Sequence, residues 1–174
     1  MAAVLLWVIA AGITIVSGAI LIRIFKHVKR RRMHHLLHRF SELGSGNNLT
    51  FSSQEILHDC IIGLDGVNRK ILVAQSIEGS ITHTELIDLF EVKTCSVIRQ
   101  YGSIKSGELR AKKLETYLES IALHFERETQ PPIEIPFYRH RKNGLHEIER
   151  LEKKARHWEM LLSKMIHLPA RKIA

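Results

Sequence analysis

Cysteine is scarce. Cys60 and Cys95 are the only two in 174 residues, 35 positions apart and inside apolar segments. They form neither a CxxC pair nor a zinc spacing, which excludes a disulfide framework and the usual structural zinc site, and as small apolar residues they belong to a core. Acid is missing from the start of the chain: no Asp or Glu precedes Glu42, and no charge of either sign falls between Ala2 and Ile22. Catalytic signatures are missing too. There is no G-x-S-x-G, no H-E-x-x-H and no carboxylate pair in acid–base spacing, and His146-Glu147 lacks a second His. Gly102-Ser103-Ile104-Lys105-Ser106-Gly107 has the glycines of a phosphate loop, but Glu108 and Leu109 stand where Lys and Ser or Thr are needed, so it is read as a polar turn. These absences predict no enzyme, no cofactor and no metal centre.

What the chain does have at its start is an uncharged run of 21 residues, Ala2 to Ile22. As a helix it would reach about 31 Å, close to the thickness of a bilayer's hydrocarbon core. Seven cations follow before the first acid: Arg23, Lys26, Lys29, Arg30, Arg31, Arg32 and Arg39. Positive charge behind an apolar run, with none before it, predicts a retained transmembrane helix over residues 2–25 rather than a cleaved signal. The expectation is a single-pass protein of the cell (inner) membrane, with its N-terminus outside and a cytoplasmic C-terminal domain. Ala10, Thr14 and Gly18 recur every fourth position, a spacing too common in single spans to mark a helix–helix contact.

The formal charge of +8 is unevenly placed. Removing those seven cations from 26 Lys and Arg leaves 19 against 18 acidic residues, so the chain after Phe40 is nearly neutral. A nucleic-acid binder needs a basic face on its folded domain, and this balance argues against one. The cluster fits anionic lipid headgroups instead. Arg23, Lys26, Lys29, Arg30, Arg31 and Arg32 are the candidate contacts, joined by Arg69 and Lys70 beside a hairpin turn. Arg139, Arg141 and Lys142 fill a later turn and are read as solvated loop charge.

Residues 26–48 read as a basic juxtamembrane helix and linker. On a helical wheel Phe25, Met33, Leu36, Leu37 and Phe40 share one side, as if skimming lipid. His27, His34 and His38 share another. His34 and His38, four apart, are weak metal candidates with His27, and imidazoles there would add charge to the surface on acidification. Leu43-Gly44-Ser45-Gly46-Asn47-Asn48 has the composition of a flexible linker.

From Leu49 the pattern becomes strand-like. Cys60–Leu64, Lys70–Gln75, Ile81–Leu89 and Val92–Tyr101 are short β-branched or alternating runs, separated by turn signals such as Asp65-Gly66 with Asn68. Ser120–Glu126 alternates, with Ile121, Leu123 and Phe125 on one face. Ile133, Ile135 and Phe137 repeat this, and Pro136 predicts an edge strand. Residues 106–119 are ambiguous between a helical turn and a hairpin arm. Last comes a helix capped by Asn143, running from Gly144 to about Met165, with Leu145, Ile148, Leu151, Ala155, Trp158, Leu162 and Met165 in one stripe.

Strands followed by one amphipathic helix give an α+β order. The order resembles a pleckstrin-homology-like domain. Cys60-Ile61-Ile62-Gly63-Leu64-Asp65 with Arg69-Lys70-Ile71-Leu72, Ile135-Pro136-Phe137-Tyr138, and Leu151-Glu152-Lys153-Lys154-Ala155-Arg156-His157-Trp158 resemble segments of uncharacterised bacterial single-pass membrane proteins that carry such a domain. The resemblance implies a bent antiparallel sheet of six or seven strands over residues 49–166, one C-terminal helix, a tail at 167–174, and no catalytic residue. The functional expectation is a membrane-anchored, non-enzymatic interaction or scaffold domain with an unknown protein partner. The alternative is a juxtamembrane sensor of anionic lipid. An enzyme of unrecognised type stands third, and a buried His–acid pair would revive it.

Overall fold

The computed structural model describes residues 18, 20, 23, 24, 27, 28, 30, 31, 33–77, 80–104 and 113–167. The chain is helical at every described position from 18 to 46, and this helix is α1. Seven strands follow: β1 (Ser53–Ile56), β2 (Cys60–Asp65), β3 (Lys70–Ile77), β4 (Ser80–Asp88), β5 (Val92–Tyr101), β6 (Leu118–Arg127) and β7 (Ile133–Arg139). Helix α2 (Ile148–Ile166) closes the described chain, preceded by a 3-10 turn at Leu145–Glu147.

The strands form two antiparallel sheets, β1-β2-β3-β4 and β5-β6-β7. This corrects the expectation of one pleckstrin-homology-like bent sheet with a single C-terminal helix. The chain changes sheet between Asp88 and Val92. Asp88 accepts Phe90 N on its carboxylate (3.0 Å) and Glu91 N on its carbonyl (3.1 Å), a sharp turn that starts β5 in a new sheet. Helix α1 lies where a basic juxtamembrane helix is expected, but it docks on the first sheet as a layer of the fold.

The transmembrane, single-pass expectation is corrected as well. Among the described residues no helix is long and apolar enough to cross a membrane. Residues 1–17, most of the segment expected to span, lie outside the described residues. In the described part Arg23, His27, Arg30 and Arg31 interrupt the apolar positions. From Met33 onward the apolar side of α1 is spent on protein. Leu36 and Phe40 are buried against Ile61, Leu72 and Ala74 of the first sheet, with Met33, Leu37 and Leu43 packed around them. The side read as skimming lipid is therefore a core face from Met33 onward, while Phe25 lies outside the described residues.

That docking explains the continuous apolar run of β2, whose residues are all buried. Cys60, Ile62 and Leu64 enter the main core while Ile61 faces α1, so both faces of the strand are covered. Gly63 is required there. A Cβ on it would stand 2.5 Å from Phe40 and 2.7 Å from Phe51, whose rings stack at a centroid distance of 4.8 Å. Nor is 43–48 a linker. Helix α1 continues to residue 46, Asn47 Nδ2 donates to Leu43 O (2.8 Å), and Asn48 takes a left-handed φ of 52° that ends it.

The main core lies between the two sheets and α2. The stripe of α2 enters it through Ile148, Leu151, Ala155, Trp158 and Leu162, against Ile121, Leu123 and Phe125 of β6 and Ile133, Ile135 and Phe137 of β7. Pro136 sits on edge strand β7 at a register shift opposite Ala122. Asn143 does not cap α2. Its Oδ1 accepts Arg139 N (3.1 Å) and closes the β7 turn, while the Glu147 carboxylate accepts Gly144 N (3.3 Å).

Asp65 organises the β2–β3 turn from a fully buried position. Its carboxylate accepts Thr50 N (2.9 Å), Val67 N (3.0 Å), Asn68 N (2.9 Å) and Asn68 Nδ2 (2.8 Å). Burial alone would raise its pKa and is the largest single influence. The hydrogen bonds from Asn68, Thr50 and Val67 together outweigh it and hold the group below the ordinary carboxylate range.

Candidate functional site

Helix α1 docks on the first sheet only from Met33 onward, and the part before that is exposed and cationic. Every described residue from 20 to 31 is exposed: Ile20, Arg23, Ile24, His27, Val28, Arg30 and Arg31. Further along, His34, His35, His38 and Arg39 are exposed on the turns that bury Leu36 and Phe40. Glu42 is the first acid, and Arg39 Nη1 takes it at 3.0 Å, leaving the rest of the face uncompensated by its own helix. That bond from Arg39 holds the Glu42 carboxyl below its usual range.

Of the expected headgroup contacts, Arg23, Arg30 and Arg31 are thus brought onto one exposed helix, while Lys26, Lys29 and Arg32 lie outside the described residues. Arg69 and Lys70 do not join them. Arg69 sits in the β2–β3 turn at φ 54°, its guanidinium 5.1 Å over the Phe90 ring, and Lys70 begins β3 opposite Asp88. His27, His34 and His38 are all exposed on α1, and among the described residues no group of three or more His, Cys, Asp or Glu could hold a metal ion. Arg139 and Lys142 both pair with Asp59, the former at 3.6 Å, and so tie β7 to the β1–β2 turn. The glycine loop is half outside the described residues. Its first glycine donates its N–H to Tyr117 O (2.9 Å) and has the Glu119 carboxylate beside it, the opposite of a phosphate cradle.

The structure also assembles a row that spacing along the chain does not reveal. The second sheet buries one face and leaves the other open. Ser96, His124 and Glu134 lie opposite one another on β5, β6 and β7, and His124 Nδ1 is 3.4 Å from Glu134 Oε1. Beside them Ser120 Oγ donates to Gln100 Oε1 (2.7 Å) and Gln100 Nε2 to Glu134 Oε2 (3.3 Å). A groove of about 530 Å³ borders this face, its rim supplied by Arg139, His140, Arg141 and Lys142. The serine–histidine–acid order is not a triad. The side chains of His124 and Glu134 are 28% and 44% exposed, no hydrogen bond joins Ser96 to His124 among the described residues, and the strand amides that an oxyanion would need serve the ladder. Only cross-strand register, fixed by turns and bulges, could have signalled this row.

The two thiols offer no nucleophile. Burial, the first cause in both, pushes Cys60 and Cys95 up to about 12, with Asp59 and Glu159 adding negative charge nearby.

No family model, curated protein or solved structure matches this chain. The resemblance to membrane proteins with a pleckstrin-homology-like domain therefore rests on the quoted residues alone.

Proposed function

We propose that this chain is a non-enzymatic interaction module that holds a cationic helix face toward an anionic partner. One observation carries the reading: α1 spends its apolar side on the first sheet from Met33 onward and exposes Arg23, Arg30 and Arg31 with no acid on the helix before Glu42. Docking from Met33 onward anchors the helix that the cations precede, so a partner need not supply the cost of placing those docked turns. Clustered exposed cations raise the encounter rate with anionic surfaces and make binding salt-sensitive. High-pKa buried thiols, a partly exposed His–Glu pair and two cations used as struts are consistent with a scaffold rather than a reaction centre.

The test is salt-gradient elution of the full chain from an immobilised polyanion such as heparin, beside an R23Q/R30Q/R31Q variant. The variant should elute at markedly lower salt. Equal elution would remove α1 as the recognition element.

A second reading has its own observation, the open hydrogen-bonded face of the second sheet with its groove. A protein partner seated there would hold through the same salt titration that releases an anionic surface.

A further inference from the structure

Electrostatics alone would serve any polyanion, but the described N-terminal part of α1 is not merely charged. Ile20, Ile24 and Val28 are 52%, 53% and 40% exposed. They are spaced four apart, so at ~100° per residue they form a stripe about 80° wide on one side of the helix. Arg31 continues the stripe one turn on, and Arg23 and Arg30 fall to one side of it. Leu36 and Phe40, which bind the sheet, lie on roughly the opposite side. The stripe is thus neither part of the core cluster under α1 nor covered by any described residue.

Two isoleucines and a valine with guanidinium groups in line with them and along one side match one chemistry. The side chains suit the acyl boundary of a lipid leaflet, and the arginines can reach back to phosphates at headgroup level. A soluble polyanion would satisfy the arginines and leave the stripe in water. A second copy of this chain would cover the stripe and bring like charges together. Charge complementarity therefore favours lipid.

We propose that α1 takes the surface of an anionic bilayer, with Ile20, Ile24 and Val28 in the interface and Arg23, Arg30 and Arg31 on lipid phosphates. This rests on the anionic-partner reading above and specifies its substrate class. It requires the helix to lie on the leaflet by this face.

The experiment is co-flotation of the full chain with phosphatidylcholine vesicles, with and without phosphatidylserine, across a salt series. Three proteins are compared: wild type, I20S/I24S/V28S and R23Q/R30Q/R31Q. All six positions are exposed, and a matching thermal melt confirms that each variant is folded. Wild type should float with phosphatidylserine vesicles and retain a salt-resistant fraction. The arginine variant should bind them about 100-fold more weakly, roughly five-fold per cation removed. The apolar variant should keep its salt-sensitive preference and show a smaller salt-resistant fraction than wild type.

If the apolar variant floats like wild type, the interfacial stripe is wrong while the anionic-partner reading stands. If wild type binds heparin but ignores both vesicles, the partner is a soluble polyanion. If light scattering shows a wild-type dimer that the apolar variant abolishes, the stripe is a self-association face. If the arginine variant matches wild type on vesicles and heparin alike, both proposals fall.

Discussion

The first sheet is covered on both faces at β2 and β3 and the second on one, and the two differ accordingly in what their residues do. In the first, β2 is buried throughout, its polar turn residue Asp65 included, and Gly63 is needed simply to admit Phe40 and Phe51. In the second, β6 turns Ile121, Leu123 and Phe125 inward and His124 and Glu126 toward the open face, where only the small Ala122 is itself buried. The open face is finished with side-chain hydrogen bonds, Thr94 to Glu126 (3.1 Å) and Ser120 to Gln100 (2.7 Å), rather than with a helix. The lesson concerns tolerance. A residue in the doubly covered sheet is constrained by packing from two directions, whereas one on the open face is constrained by little more than its own strand.

Removing the cover is the largest perturbation. Phe40→Ala should destabilise the protein by about 3–5 kcal/mol in a urea titration, because a buried aromatic leaves a cavity between α1 and the sheet. A loss below about 0.5 kcal/mol would mean that α1 rests on the sheet without stabilising it. Overfilling the same layer comes next. Gly63→Ala should cost about 1–3 kcal/mol, since two aromatic rings must move to admit one methyl.

Asp65→Asn should cost about 1–3 kcal/mol at neutral pH, because a carboxylate holding four donors is replaced by a group that cannot accept them all. Its pH dependence carries the sign of a lowered folded-state pKa. The wild-type advantage is complete above the ordinary carboxylate range and disappears as pH falls from ~4 through the lowered value, so the two stability curves should converge in acid. In the second sheet, Glu159 reaches from α2 to accept Val97 N on edge strand β5 at 2.8 Å. Glu159→Ala should cost about 1 kcal/mol, since water can replace part of that bond at an edge. The smallest effect closes the comparison: His124→Ala on the open face should stay within about 0.5 kcal/mol in the same titration.

The sequence revealed the second sheet far better than the cover on the first. Ile121, Leu123 and Phe125 announce a half-buried strand because period-two alternation follows directly from one covered face. Asp65-Gly66 with Asn68 marks the β2–β3 turn, and the α2 stripe is buried from Ile148 to Leu162, although Leu145 at its start is 47% exposed. By contrast, Met33, Leu36, Leu37 and Phe40 show a helix with an apolar side, and such a side looks the same whether it meets lipid or a sheet. Gly44 and Gly46 suggested a linker because composition says nothing of the Phe51 ring, which would stand 2.8 Å from a Cβ on Gly44. Strand β1, Ser-Gln-Glu-Ile, carries no periodic signal and exists by pairing with β2 from Ser53–Leu64 to Ile56–Ile61. The exposed cations of α1 were legible as charge. That they precede the docked turns became clear only once the sheet had claimed α1 from Met33 onward.

Hydrogen exchange followed by mass spectrometry tests most directly whether α1 is a layer of the fold. Amides of residues 36–43 should exchange as slowly as those of β2, both released only by global unfolding. Exchange in 36–43 many-fold faster than in β2, with β2 still protected, would contradict the account. It would show that the first sheet is stable without its helix.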